Sequence, residues 1–178
     1  MTTTWTRPAR LAAALAIVSL LAACTGPPPQ EQHMNAETEL AARPTSEVMI
    51  SRYSEMQQRI RDALDTELGP FQWSMLRDGA EGTCGGEFSG IGGRNVYMAP
   101  WGFEGNIPDD QWPRARQIFA DIAAEYAFVP AGLQIDEPGR HSTNGVDETL
   151  GAHYSFGTNV NTSMQIATGC HLPRSSGK

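Results

Sequence analysis

Apolar positions recur along this chain with two periods, and the switches between them outline a fold. From Ser46 onward, Met49, Tyr53, Met56, Ile60, Leu64 and Leu68 return at steps of three and four residues, the repeat of a helix with one buried face. Arg52, Glu55, Arg59, Arg61 and Asp62 take its other sides. Thr45 or Ser46 caps the start, Glu47 favours the positive end of the dipole, and Gly69-Pro70 stops the run. The period then drops to two: Phe71, Trp73 and Met75 alternate with polar neighbours, which predicts a strand ended by Asp78-Gly79. The glycine-rich stretch up to Gly93, with Cys84 inside it, is expected to be loop. Asn95–Trp101 predicts a second strand, Val96 and Met98 facing one side and Tyr97, Ala99 and Trp101 the other, with Pro100 placing its end at an edge.

A second helix is expected after Ile107-Pro108, with Asp109 or Asp110 as cap and Pro113 tolerated in its first turn. Its core-facing stripe is Trp112, Ala115, Phe119, Ile122 and Tyr126. Leu133 and Ile135 suggest a short strand, and the polar run from Asp136 to Asp147 reads as an exposed loop. Leu150, Ala152, Tyr154 and Phe156 alternate, GTNVNT turns, and Met164, Ile166 and Thr168 alternate into Gly169-Cys170, which predicts a hairpin. Helix, two strands, helix, three strands is the order of an α+β single domain over residues 46–174. It implies an antiparallel sheet of about five strands with two helices packed on one face. Residues 175–178 are expected to form a disordered tail.

The N-terminal part has a different pattern. Arg7 and Arg10 precede an uncharged apolar run from Leu11 to Ala23, too short to span a bilayer but laid out as a secretory signal. Leu21-Ala22-Ala23-Cys24 closes the run and resembles the lipobox of bacterial lipoproteins, in which the cysteine is acylated and becomes the new N-terminus. Residues 1–23 are therefore expected to be a lipoprotein signal peptide, with Cys24 the lipidation site. Residues 24–45 open with three prolines after Gly26 and have no apolar period, which reads as a flexible tether. Such a coil would hold the domain about 25 Å from the membrane on average.

Cleavage before Cys24 leaves 155 of the 178 residues and removes two arginines, so 11 basic residues face 20 acidic ones. That balance argues against nucleic acid, whose binders concentrate Lys and Arg, and against adhesion to anionic lipid through a polybasic patch. The lipid itself must anchor the protein, on the extracytoplasmic face of the cell membrane. With Cys24 assigned to lipid, Cys84 and Cys170 remain for an oxidising compartment, and a disulfide between them is the natural inference. It would close a loop of about 87 residues, for which chain entropy gives an upper figure of roughly 4–5 kcal/mol.

Chemistry is sparse. The glycine-rich loop lacks both G-x-G-x-x-G and Gly-Lys-Ser/Thr, so it does not read as a phosphate cradle. The base of a hydrolase would have to be His141, His153 or His171, yet no nucleophile motif surrounds any serine or cysteine. Zinc ligation by His141, His153 and Asp147 lacks helical ligand spacing, and no metal or cofactor is expected. Glu87, Glu104, Asp109 and Asp110 have structural reasons for their positions in loops and at helix starts. The better lead is aromatic. Trp101, Phe103 and Trp112 surround the turn PWGFEGNIP and, with Tyr97, would line a groove where the sheet meets the second helix, unless they simply fill the core seam. Arg94, Arg140 and His141 would supply contacts to an anionic head group there.

The lipobox, Cys84, PWG-x-x-G-x-IP-x-x-x-W, AAEYAF and Thr168-Gly169-Cys170-His171-Leu172-Pro173 together resemble the mycobacterial lipoproteins of the LppA and LppV kind, over roughly residues 46–174 plus the anchor. In those proteins a late Thr-Gly-Cys and an earlier cysteine recur, which supports the Cys84–Cys170 pairing; Phe128 departs from the glycine common there. The resemblance implies export, lipidation and an envelope location, and no established activity. The expectation is a lipid-anchored, non-enzymatic envelope protein that binds another envelope or host protein. The alternative is a lipid or glycolipid carrier using the aromatic groove.

Overall fold

The computed structural model describes residues 29–175. Cys24 and the signal segment lie outside these residues, as does most of the expected tail. Three helices, α1 (Pro29–Ala42), α2 (Ser46–Leu68) and α3 (Trp112–Glu125), join a nine-stranded antiparallel sheet. Its strands are β1 (Ser74–Met75), β2 (Ala80–Thr83), β3 (Arg94–Tyr97), β4 (Trp101–Glu104), β5 (Val129–Pro130), β6 (Ile135–Glu137), β7 (Arg140–Asp147), β8 (Ala152–Thr158) and β9 (Asn161–His171). The class is α+β as expected, with more strands and one more helix than the sequence suggested. The order is β1-β4-β9-β8-β7-β5, with β6 also on β7. Strands β3 and β4 share one edge of β9, Tyr97 opposite Ala167 and Trp101 opposite Met164.

Helices α2 and α3 cover one face. Met49, Tyr53, Met56, Ile60 and Leu64 of α2 are all at most 1% exposed and meet Trp112, Ile118 and Phe119 of α3 over Tyr154, Phe156, Met164 and Ile166 of the hairpin. Phe119 lies between Tyr154 and Phe156, each with ring centroids 4.7 Å from its own. Direct cross-strand neighbours share a face, so the opposite, helix-free face carries rows such as Gln165, Ser155 and Asn144.

Four expectations are corrected. Residues 29–42 are helix α1, not tether; its buried apolar residues, Ala36 and Leu40, lie one turn apart and pack on Cys84 and Phe88. The glycine-rich stretch contains β2 and a single 3₁₀ turn, Gly86–Phe88. A Cβ at Gly93 would stand 2.8 Å from a Leu40 methyl and 3.1 Å from the Cys84 sulfur, so any larger residue would have to push the Leu40 side chain aside. Residues 136–147 are strands β6 and β7 rather than loop, and β7 buries His141, Thr143, Gly145 and Asp147, an alternation written in polar residues and glycine. Helix α3 starts at Trp112 with Gln111 at its cap, neither Asp109 nor Asp110, and Asp109 bonds Gly139 and His141 instead.

Candidate functional site

Because β3 and β4 attach to β9 one after the other, the chain between them, Met98 to Pro100, crosses from one to the other beneath α2. Met98 N–H donates to the Ile166 carbonyl at 2.9 Å, and the Gln57 amide of α2 donates to the Ala99 carbonyl at 3.2 Å. These bonds fix a notch of about 450 Å³ between the flank of α2 and the sheet edge. Ile50, Gln57 and Arg61 line its helix side, and Met75, Met98 and Trp101 its sheet side. Met75 is 52% exposed, an apolar side chain standing open at the rim.

Arg61 dominates the chemistry of this notch. Its guanidinium carbon lies 3.6 Å from the centre of the Trp101 ring, a cation–π stack. Nη2 donates to the Gln58 side-chain carbonyl, while Nη1 is buried with no hydrogen-bond partner among the described residues. Burial lowers the guanidinium below its ordinary value, opposed by the charges of Asp62 and Asp65. A buried N–H donor without an acceptor is destabilising, so a turn of the guanidinium that uncovers Nη1 toward an oxygen anion is favoured.

The expected aromatic groove is only partly assembled. Trp101 lines the notch and Tyr97 borders it, with the Tyr97 ring centroid 6.2 Å from that of His153 on the helix-free face. Phe103 and Trp112 belong to the core instead. Phe103 stacks on Phe71 at 4.3 Å and meets Trp73 edge-on, while Trp112 is fully buried between His141 and Phe156. Arg94 is committed to Glu47 at 2.5 Å, to Glu81 and to the Ser46 hydroxyl, so it is not the head-group cation. The guanidinium that the notch does hold is that of Arg61. Its signal was its place one turn after Gln57, on the shoulder of the buried stripe of α2 rather than on its outermost face.

The remaining candidates lie apart. His141, 5% exposed, is held between two carboxylates, Nδ1 to Asp136 at 2.7 Å and Nε2 to Asp109 at 2.9 Å. Asp109 also accepts the Gly139 N–H at 2.8 Å, which clasps the β4–α3 connection to the β6–β7 turn. Arg140, the other expected head-group contact, is 3.5 Å from Glu137. His153 is exposed beside Tyr97, and His171 is bonded to the Pro44 and Thr168 carbonyls. His141 and Asp147 lie near opposite ends of β7, so the proposed zinc trio is dispersed. Among the described residues no three His, Cys, Asp or Glu groups are placed to hold a metal, and no helix is long and apolar enough to cross a membrane. Cys84 and Cys170 are joined as a disulfide with Cα atoms 5.7 Å apart.

Residues 22–174 match the LppA family, described as a lipoprotein confined to pathogenic Mycobacterium. The chain belongs to this family. The crystal structure of LppA from Mycobacterium tuberculosis shares the fold at 13% identity with a TM-score of 0.66, covering 82% of this chain and 88% of that one. A DUF4853 family protein from Actinomyces odontolyticus is similar at 16% identity and a TM-score of 0.57, covering 78% of this chain and 74% of that one. At such identities the likeness concerns the fold alone. No curated protein matches the chain.

Proposed function

We propose that this LppA-family chain is a non-enzymatic lipoprotein, held on the extracytoplasmic face of the cell membrane by lipid on Cys24, whose domain recognises a partner through the notch beside α2. The observation that carries the reading is Arg61, a stacked guanidinium with one unpartnered nitrogen at an open apolar concavity. A partner that fits presents a carboxylate or phosphate oxygen to the Arg61 guanidinium and an apolar group to Met75 and Trp101. An envelope or host protein meets that description with an acidic residue beside an apolar one.

A lipid or glycolipid with an anionic head is the second reading, favoured by the aromatic floor that Trp101 provides. Native mass spectrometry of the full chain, purified after export in a mycobacterial host, separates the two. An adduct of lipid mass that Arg61→Gln abolishes supports the carrier. Bare protein, together with a crosslinked cell-surface partner lost in Arg61→Gln, supports the protein partner. Neither adduct nor Arg61-dependent crosslink would sink both. For the anchor, Cys24→Ala should release the exported protein from the membrane fraction; retention would contradict lipidation there.

A further inference from the structure

Helix α2 has a second concavity on its opposite flank. At about 100° per residue, Val48 and Arg52 lie on the other side of the buried stripe from Ile50, Gln57 and Arg61. Val48, Met49 and Arg52 form one wall of a cavity of about 330 Å³, and Pro44, Asp147 and Leu150 form much of the other. The lining is mostly apolar apart from two opposite charges. Asp147 is only 3% exposed, and its Oδ1 accepts the backbone N–H groups of Thr149 at 2.9 Å and Leu150 at 3.2 Å. Neither Asp147 nor Arg52 has an ion-pair partner among the described residues, and they do not pair with each other. The Arg52 guanidinium instead lies 5.3 Å from the centre of the Tyr126 ring. The Tyr53 hydroxyl, one residue on, is buried without a partner among the described residues.

A carboxylate buried against apolar groups without a cation is costly. The cavity thus sets a buried carboxylate, held by two backbone N–H groups but facing no cation, against an exposed guanidinium at its mouth. A simple amine would satisfy Asp147 and face the repulsion of Arg52; a simple carboxylate would meet the reverse. A zwitterion satisfies both at once. The volume sits at the small end of ligand sites, roughly 300–1,000 Å³, and the remaining lining is aliphatic. We infer that this cavity binds the zwitterion of a free α-amino acid with an apolar side chain, its ammonium group on Asp147, its carboxylate on Arg52 and its side chain against Val48, Met49 and Leu150. The site is separate from the notch and does not depend on it.

Isothermal titration calorimetry of the full chain with L-leucine tests this, beside N-acetyl-leucine, which lacks the ammonium, and leucinamide, which lacks the carboxylate. The expected result is saturable binding of leucine, weakened on the order of 10-fold or more when either charge is removed from the ligand. Asp147→Asn keeps an oxygen for the two backbone N–H groups and should abolish binding, and Arg52→Gln should weaken it similarly. Arg61→Gln should leave it unchanged. Absence of leucine binding, equal binding of the two blocked analogues, or wild-type affinity in Arg52→Gln would overturn the assignment. Should Asp147→Asn fail to fold, Arg52→Gln decides, since that side chain is exposed on the helix.

Discussion

Two apolar regions hold this protein together, and they do so by different means. Beneath α2 and α3, twenty buried residues form one continuous core. Under α1 there are four, Ala36, Leu40, Cys84 and Phe88, with Ile91, Cys170 and Leu172 half-buried around them. Ordering the fourteen residues of α1 costs roughly 1–2 kcal/mol each in backbone entropy, which so small a patch does not offset unaided. The second region is completed by polar and covalent links. Arg43 donates to the Leu150 and Cys170 carbonyls and lies over the Phe88 ring, the His171 ring bonds the Pro44 carbonyl, and the disulfide fixes the base on which α1 rests. Burial suffices where the chain has apolar residues to spare; a cross-link takes over where it does not.

The sharpest way to break this comparison is in the larger core. Trp112→Ala removes a fully buried ring stacked on His141 and Phe156 and should cost about 3–5 kcal/mol, read by urea unfolding as a loss common to every element. Replacing Cys84 and Cys170 together by serine should cost about 2–4 kcal/mol, and hydrogen exchange should show α1 losing protection before α3 does. Equal protection of the two helices in that variant would mean that α1 does not depend on the cross-link. Leu40→Ala should raise the opening of α1 by about 2 kcal/mol in hydrogen exchange while the urea midpoint of the main core moves little.

The smallest effect concerns charge at the rim of the main core. The His141 hydrogen bond, and after it the Gly139 N–H, holds the Asp109 carboxyl below its ordinary value of 3.8. A lowered carboxyl contributes stability that is present above pH 3.8 and lost as pH falls through the folded value. Thermal melts should therefore show a shallower acid limb below pH 3.8 in Asp109→Asn than in the wild type. Parallel limbs would show that the clasp contributes nothing through this group.

What the sequence disclosed follows the same division. Helix α2 was legible because its buried stripe is apolar at every turn, and the β8–β9 hairpin because Tyr154, Phe156, Met164 and Ile166 alternate with polar neighbours. Strand β7 was not, since the residues it buries are His141, Thr143, Gly145 and Asp147, whose burial depends on partners distant in sequence such as Asp109. Helix α1 was hidden by having two buried residues in fourteen. Trp101 could be named as a site residue and Arg61 could not, because their stacking depends on where α2 crosses the split between β3 and β4, a register no local pattern carries.

Helix α1 also changes the mechanics of the anchor. Only residues 25–28 separate Cys24 from the first helical residue, and the five Cα–Cα steps between them extend at most about 18 Å. If Cys24 carries lipid, the first turn of the docked helix would lie within that distance of the bilayer, nearer than a coil of twenty residues would set the domain. A partner close above the membrane would then meet it at high effective concentration, and one farther out would have to reach down to it.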